Sequence, residues 1–114
     1  MLCETDPLAV YRLRELGGED LVRRLVALFL ENTPGRIRTL VRGEEGEDWK
    51  AVERAAHSLR STAASLGLTT LQDLAARIED SAEANRRDAL RPLLRELEAG
   101  FPLVRDRLER LIHP

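Results

Sequence analysis

Apolar residues recur at helical spacing throughout this chain, and most regularly in its last third. Steps of four and three residues place them on one face of an α-helix. No sustained alternation of apolar and polar residues competes with this pattern, and aromatic residues make up only 4% of the chain, so strands are not predicted. The chain is therefore predicted to be all-α. The C-terminal repeat consists of Leu90, Leu94, Leu97, Phe101, Val104, Leu108 and Leu111.

The first half of the chain predicts one short and one long helix. Asp6 and Pro7 suit the cap and first position of a short helix, which the pair Gly17-Gly18 is expected to end. A longer apolar pattern begins near Glu19 and continues past Pro34. We expect Pro34 to kink this helix, with two separate helices as the alternative. A polar turn is predicted from Gly43 to Glu47.

The second half predicts three further helices. The first covers about residues 48–66 and is capped by Asp48, and the next is capped by Thr69 or Thr70. A loop near Asn85 precedes the last helix, which Gly100 and Pro102 are expected to interrupt and bend. With their stripes turned inward, these helices form an up-and-down antiparallel four-helix bundle with a short N-terminal capping helix. A heptad stripe is also typical of coiled coils, so a dimer is the alternative to a monomer.

The helix at 48–66 carries the residue most open to a chemical role. Its apolar stripe leaves His57 about 100° around the helix from Ala56, at the edge of the buried face and in contact with water. Residues 61–65 are all small, reading STAAS, where long charged side chains usually cover an exposed helical surface. Gly67 can then adopt the left-handed conformation that ends a helix. The stripe consists of Trp49, Val52, Ala56, Leu59, Ala63 and Leu66.

The segment AAHSLRSTAASLG resembles the signature of histidine-containing phosphotransfer (HPt) domains. That signature has a reactive His, then an apolar residue, a Lys, a Gly, small residues and a final Gly. Upstream, LVRRLVALFLENTPGRIRTL and Asp48-Trp49 continue the resemblance, which covers nearly the whole chain. Two positions depart from the pattern. Arg60 replaces the usual Lys, and Ser61 replaces a Gly that lets a receiver domain approach the imidazole. The positions that match are His57, Leu59, Ala63, Ala64, Leu66 and Gly67.

The resemblance implies a phosphocarrier without independent turnover. His57 would accept a phosphoryl group from a receiver aspartate and pass it to another receiver, while the receiver supplies Mg²⁺. Arg60, one turn away, would disfavour the imidazolium and balance the phosphoryl charge, with Arg54 and then Lys50 as further support. Ser61 and Ala64 would form the docking surface. The implied partners are response-regulator receiver domains and a histidine kinase, which can be a hybrid kinase.

Composition adds several exclusions. The 114 residues suit one domain spanning 1–114, and the net charge of −2 gives no footprint for nucleic acid or an acidic membrane. We see no signal peptide or membrane span, and Cys3, the single cysteine, suits a reducing compartment, so a cytoplasmic protein is expected. Its start at Met1 and its end just past the last helix favour a free-standing protein. No metal or cofactor is predicted, because His57 and His113 are isolated and the acidic turn at 44–48 lacks EF-hand spacing.

Two other functions remain open on the sequence. Ser61 favours an HPt-like module that binds receivers but carries no phosphate, because its added Cβ and hydroxyl can crowd the approach to His57. The hydroxyl can alternatively form a hydrogen bond with the phosphoryl group. A generic helical adaptor or dimerisation bundle would leave His57 without a role. A phosphoryl-transfer assay distinguishes the first alternative from a phosphorelay intermediate. Variants at His57 and Ala64 test the second alternative, because they would leave partner binding by a generic bundle unchanged.

Overall fold

A computed structural model describes residues 2–113 and consists of four helices joined by short turns. Each helix packs against its two neighbours in a ring, α1 against α2 and α4, and α3 against α2 and α4. The predicted all-α, up-and-down antiparallel bundle is confirmed. Met1 and Pro114, the ends of the predicted domain, lie outside the described residues. The helices are α1 (Pro7–Glu45), α2 (Trp49–Ser65), α3 (Thr69–Glu83) and α4 (Arg87–Ile112).

The predicted short first helix is the beginning of α1, separated from the rest by a break at Gly18. Gly18 has φ 70° and ψ −168°, a combination essentially restricted to glycine. Asp6 caps this segment as predicted, its side chain accepting a hydrogen bond from the Leu8 amide at 3.0 Å. Helical backbone resumes after Gly18 and continues through Pro34. Residues 7–17 are called the capping segment below.

The capping segment lies over the turn that ends the α2 helix. The Asp6 amide donates a hydrogen bond to the Gly67 carbonyl at 2.6 Å. Gly67 adopts the predicted left-handed conformation, with φ 71°. A Cβ at this position would also lie 2.6 Å from the Cβ of Ala9 and from the carbonyl oxygen of Asp6. Gly67 is thus required both by the backbone turn and by the close approach of the capping segment.

The prediction of a threonine cap on α3 was wrong. The cap position is Leu68, which is buried and offers no side-chain hydrogen bond, and Thr69 is already the first helical residue. Thr70 instead donates a hydrogen bond to Glu4 Oε2 at 3.2 Å, which ties the N-terminal residues to α3. The predicted cap on α2 is confirmed, because Asp48 Oδ1 accepts from the Ala51 amide at 3.2 Å.

The α4 helix is continuous, so the expectation that Gly100 and Pro102 interrupt it was wrong. Pro102 is exposed, and the helix continues to Ile112 without a break. Gly100 is small for a packing reason, since a Cβ there would collide with the side chain of Leu2. The predicted stripe faces the core from Leu90 to Leu108, and the rings of Phe29 and Phe101 lie 6.3 Å apart between α1 and α4.

The acidic turn differs from its prediction as well. Glu44 lies in the last turn of α1, and its carboxylate is buried rather than solvated. Its Oε1 accepts from the Nε atoms of Arg87 at 2.9 Å and Arg91 at 2.6 Å, both at the start of α4. This ion-paired cluster joins the end of α1 to the beginning of α4. The Glu44 carboxylate can be buried because the two arginines pair with its charge.

Candidate functional site

His57 lies on the exposed side of α2, supported by the apolar stripe beneath it. Its side chain is 57% exposed, whereas the neighbouring Ala56 and Leu59 are fully buried. This arrangement follows from the sequence, because the residue after a buried helical position turns about 100° toward the edge. The imidazole is therefore fixed on a rigid helix and open to a partner.

Glu79 on α3 holds one side of the ring. Its Oε2 lies 2.9 Å from His57 Nδ1, across 22 residues of sequence. Its other oxygen, Oε1, forms an ion pair with Arg60 Nη1 at 3.1 Å. This oxygen is buried and accepts no hydrogen bond from the described residues. The Glu79 side chain is only 15% exposed, so its charge is weakly screened and directed at these two partners.

These contacts select one tautomer of the neutral ring. Arg60 Nη2 lies 3.3 Å from His57 Nδ1 and can only donate, whereas the Glu79 carboxylate can only accept. The carboxylate contact is the shorter, and Arg60 is already paired with Glu79. The Nδ1 atom thus carries the proton and donates to Glu79, which leaves the lone pair on Nε2. Among the described residues, no protein group forms a hydrogen bond with Nε2.

The three predicted basic residues occupy different positions around His57. Arg60 is in direct contact with the ring and is half-buried against Glu79. Arg54 lines a shallow depression that also contains His57 and Glu79. Lys50 is 83% exposed and forms a loose ion pair with Glu53, at 3.9 Å. The structure therefore brings Arg60 to His57, places Arg54 nearby and leaves Lys50 further along the helix. Arg60, which was expected to disfavour the imidazolium, stands beside the ring in an ion pair with Glu79.

The small residues after His57 form a low surface. Ser61 and Ala64 are both exposed, on the side of α2 that carries His57. The hydroxyl of Ser65 donates to the Ser61 carbonyl at 3.2 Å, and that of Thr62 donates to the Ser58 carbonyl at 3.1 Å. These two hydroxyls are turned to carbonyl groups of their own helix, so they are already hydrogen-bonded.

A groove between α1 and α2 adjoins this surface, and the sequence analysis missed it. It has a volume of about 190 Å³ and includes Leu25, Leu28, Thr62 and Ser65 among its lining residues. Leu28 is a large apolar residue that is 46% exposed, beside the small face of α2. Leu28 lies at helical spacing among the apolar residues of α1, a pattern that predicts a core residue and gives no signal of its exposure.

In the part of the chain that the structure describes, no group of three or more His, Cys, Asp or Glu side chains is placed to hold a metal ion. His113 is exposed at the C-terminal end of α4, and Cys3 is a partly buried free thiol. Within residues 2–113, no helix is long and apolar enough to cross a bilayer.

Comparison with known proteins identifies the class to which this fold and site belong. The family model for the Hpt domain matches residues 24–113, most of the chain. The chain therefore belongs to the Hpt domain family, whose members transfer phosphoryl groups on histidine in two-component phosphorelays, and it has that role. A search of curated proteins finds no match.

Two solved structures have the same fold. Histidine-containing phosphotransfer protein B (HptB) from Pseudomonas aeruginosa aligns with a TM-score of 0.88 and 21% identity, covering 96% of this chain and 94% of that one. The histidine-containing phosphotransfer domain of ArcB from Escherichia coli aligns with a TM-score of 0.79 and 22% identity, covering 96% and 92%. These likenesses confirm the four-helix architecture.

Proposed function

We propose that His57 is the phosphoacceptor of this domain, taking a phosphoryl group from a receiver-domain aspartate and passing it to another receiver. One observation carries the proposal. The imidazole is exposed on a rigid helix, its Nδ1 is held by Glu79 at 2.9 Å, and its Nε2 is left without a partner among the described residues. Such a nitrogen is a nucleophile placed at the surface, where the acyl phosphate of another protein can reach it.

The transfer needs no proton acceptor, because the proton on Nδ1 remains there, hydrogen-bonded to Glu79. The Nε2 lone pair forms a P–N bond, the P–O bond of the aspartyl phosphate breaks, and the carboxylate of the receiver leaves with the electron pair. The proton on Nδ1 stays in place, so the ring becomes positively charged as it is phosphorylated. The Glu79 carboxylate opposes that charge directly and stabilises the phosphorylated ring. The return transfer reverses each step.

The basic residues complement the phosphoryl group, which carries a charge of about −2. Arg60 is one turn from His57 and already touches its ring at 3.3 Å, so it is the first candidate to contact the phosphoryl oxygens. Arg54 lines the same depression and comes second. Lys50 is two turns away and pairs with Glu53, so it contributes only a weak, screened attraction.

Docking of the receiver takes place on the low surface around His57. Ser61 and Ala64 are exposed beside the imidazole and let a second backbone approach closely. Leu28, 46% exposed at the adjoining α1–α2 groove, offers an apolar contact at the edge of this surface. We infer that receiver domains of response regulators and of a histidine kinase use this surface in turn, since each must present its aspartate to the same nitrogen.

The experiment is transfer from a panel of phosphorylated receiver domains to the wild-type chain, beside His57→Gln and the control His113→Gln. We expect an acid-labile, base-stable phosphoramidate on the wild type and on His113→Gln, and none on His57→Gln. Unchanged transfer to a correctly folded His57→Gln chain contradicts the assignment. The fastest donor identifies the partner.

The same transfer experiment tests the alternative that the sequence leaves open, a docking module that binds receivers and carries no phosphate. It is favoured by Ser61, whose side chain stands exposed on the docking surface where the family has mostly Gly. In that case a receiver binds the chain without transferring phosphate, and Ser61→Gly restores transfer. Binding with transfer in the wild type excludes this candidate.

A further inference from the structure

A second concave surface lies between the capping segment and the C-terminal part of α4, and we call it the distal groove. It has a volume of about 470 Å³ and an apolar floor that includes Pro7, Val10, Leu108 and Leu111. The groove exists because α1 and α4 have 39 and 26 residues, whereas α2 and α3 have 17 and 15. The capping segment, which is the start of α1, covers the C-terminal part of α4 only in part and leaves the groove between them.

Large exposed apolar side chains concentrate at this end of the molecule. Tyr11 is 58% exposed one helical turn from Pro7, and Leu103 is 50% exposed one turn before Arg107. Leu8 and Leu16, 57% and 80% exposed, also belong to the capping segment. Single exposed apolar residues are ordinary, but a group of them beside an apolar groove marks an interaction site.

Three arginines line the same groove, namely Arg14, Arg107 and Arg110. Arg14 forms an ion pair with Glu19 across the Gly18 break. Within residues 2–113, Arg107 and Arg110 have no ion-pair partner and no carboxylate lines the groove. An apolar floor with unpaired guanidinium groups at its rim complements a ligand that is both apolar and acidic.

We propose that the distal groove binds an acidic amphipathic helix of a partner protein. The apolar face of this helix packs on Val10, Leu108 and Leu111, and its carboxylates pair with Arg107 and Arg110. A helix is the fitting shape because the groove runs between two helices and the fold has no sheet edge in residues 2–113 for a strand to join.

The distal groove and His57 lie on different elements, α1 and α4 for the groove and α2 and α3 for the imidazole and its partner. A partner held in the groove therefore leaves the docking surface around His57 free. Where that partner also carries a receiver domain, tethering raises the effective concentration of the receiver at His57. This last consequence rests on the proposed function, whereas the binding itself does not.

The test uses a fluorescent helical peptide of about four turns, or about 14 residues, with Leu on one face and Glu on the other. Its matched peptide has Lys in place of every Glu. We expect the Glu peptide to bind the full chain in the micromolar range, at least about tenfold more tightly than the Lys peptide. The double variant Arg107→Glu, Arg110→Glu reverses that preference, and the control Arg38→Glu, which changes an exposed arginine elsewhere on α1, does not.

Amide chemical shifts locate the peptide. Changes in the amide shifts of Val10, Leu108 and Leu111 on addition of the peptide support the proposal. The control variant Leu28→Glu should show the same changes as the wild type. The proposal is overturned by no saturation at millimolar peptide, by equal binding of the two peptides, by shifts centred on His57, or by a dimer that buries the groove in sedimentation equilibrium. Phosphoryl transfer to the Arg107→Glu, Arg110→Glu variant is expected to match the wild type, so failure here is distinct from failure of the proposed function.

Discussion

Glu79 on α3 and His57 on α2 are joined by a contact of 2.9 Å between Oε2 and Nδ1. The contact crosses two helices and fixes both the orientation and the tautomer of the exposed ring. A carboxylate that accepts from Nδ1 leaves Nε2 as the nucleophile and stabilises the positive ring that phosphorylation produces. Glu79 is thus a positioning residue for the proposed phosphoacceptor.

Glu79→Ala is expected to slow phosphoryl transfer to His57 by about tenfold, the effect of losing one charge-assisted hydrogen bond at a partly exposed site. Transfer rates from one receiver give the size of the effect. Nitrogen-15 spectra of the imidazole should show a loss of the single Nδ1–H tautomer at the same time. The control is Asp80→Ala, the adjacent exposed acid on α3. Equal rates for wild type and Glu79→Ala would remove Glu79 from the mechanism.

Replacing the basic residues one at a time should reveal an order set by distance. Arg60→Ala is expected to reduce the yield of phosphorylated chain at equilibrium by about fivefold, because the phosphoryl charge loses its nearest cation. Arg54→Ala should have a smaller effect and Lys50→Ala almost none. Arg60→Lys should restore part of the loss. A larger effect at Lys50 than at Arg60 would show that the cations act over the whole docking surface instead.

Enlarging a small side chain beside His57 should block the receiver. Ala64→Trp is expected to lower the transfer rate by more than about tenfold, because the indole occupies the space that the receiver backbone needs. Ala99→Trp, at an exposed alanine of α4, is the matched control and should transfer normally. Circular dichroism confirms that both variants fold. Normal transfer by Ala64→Trp would place docking on another face.

The Glu44 cluster makes the stability of the bundle depend on pH. Burial raises the pKa of Glu44, but hydrogen bonds from Arg87 and Arg91 outweigh it and hold the pKa below its ordinary value of 4.5. Because the folded-state pKa is the lower one, the stabilisation is complete above about pH 4.5 and disappears as the pH falls through the folded-state pKa.

Glu44→Gln is therefore expected to lower the free energy of unfolding at pH 7 by about 1–2 kcal/mol, a modest value because both arginines are partly exposed. Urea unfolding at pH 7 and pH 3 measures the difference, which should shrink at the lower pH. Glu45→Gln, at an exposed neighbour, is the control. A difference that is the same at both pH values would show that Glu44 acts through packing alone.

Much of this arrangement could be predicted from local sequence. The exposure of His57 follows from its step past Ala56, and the turn at Gly67 from a glycine placed after an apolar stripe. Other features depend on contacts between distant segments. Glu79 is one of 20 acidic residues, and only the packing of α2 on α3 selects it. Gly100 must lack a side chain because Leu2 packs against it. Glu44 can be buried because two arginines more than 40 residues away pair with it.

The most direct test of the central claim is to find the atom that carries the phosphoryl group. The chain is labelled with ¹⁵N at histidine and phosphorylated by its fastest receiver, and the imidazole resonances are recorded before and after transfer. We predict a phosphorus–nitrogen coupling at Nε2 of His57, with the Nδ1 proton retained and His113 unchanged. Coupling at Nδ1 of His57, or phosphate on His113, would contradict the assignment of Nε2 of His57 as the phosphoacceptor.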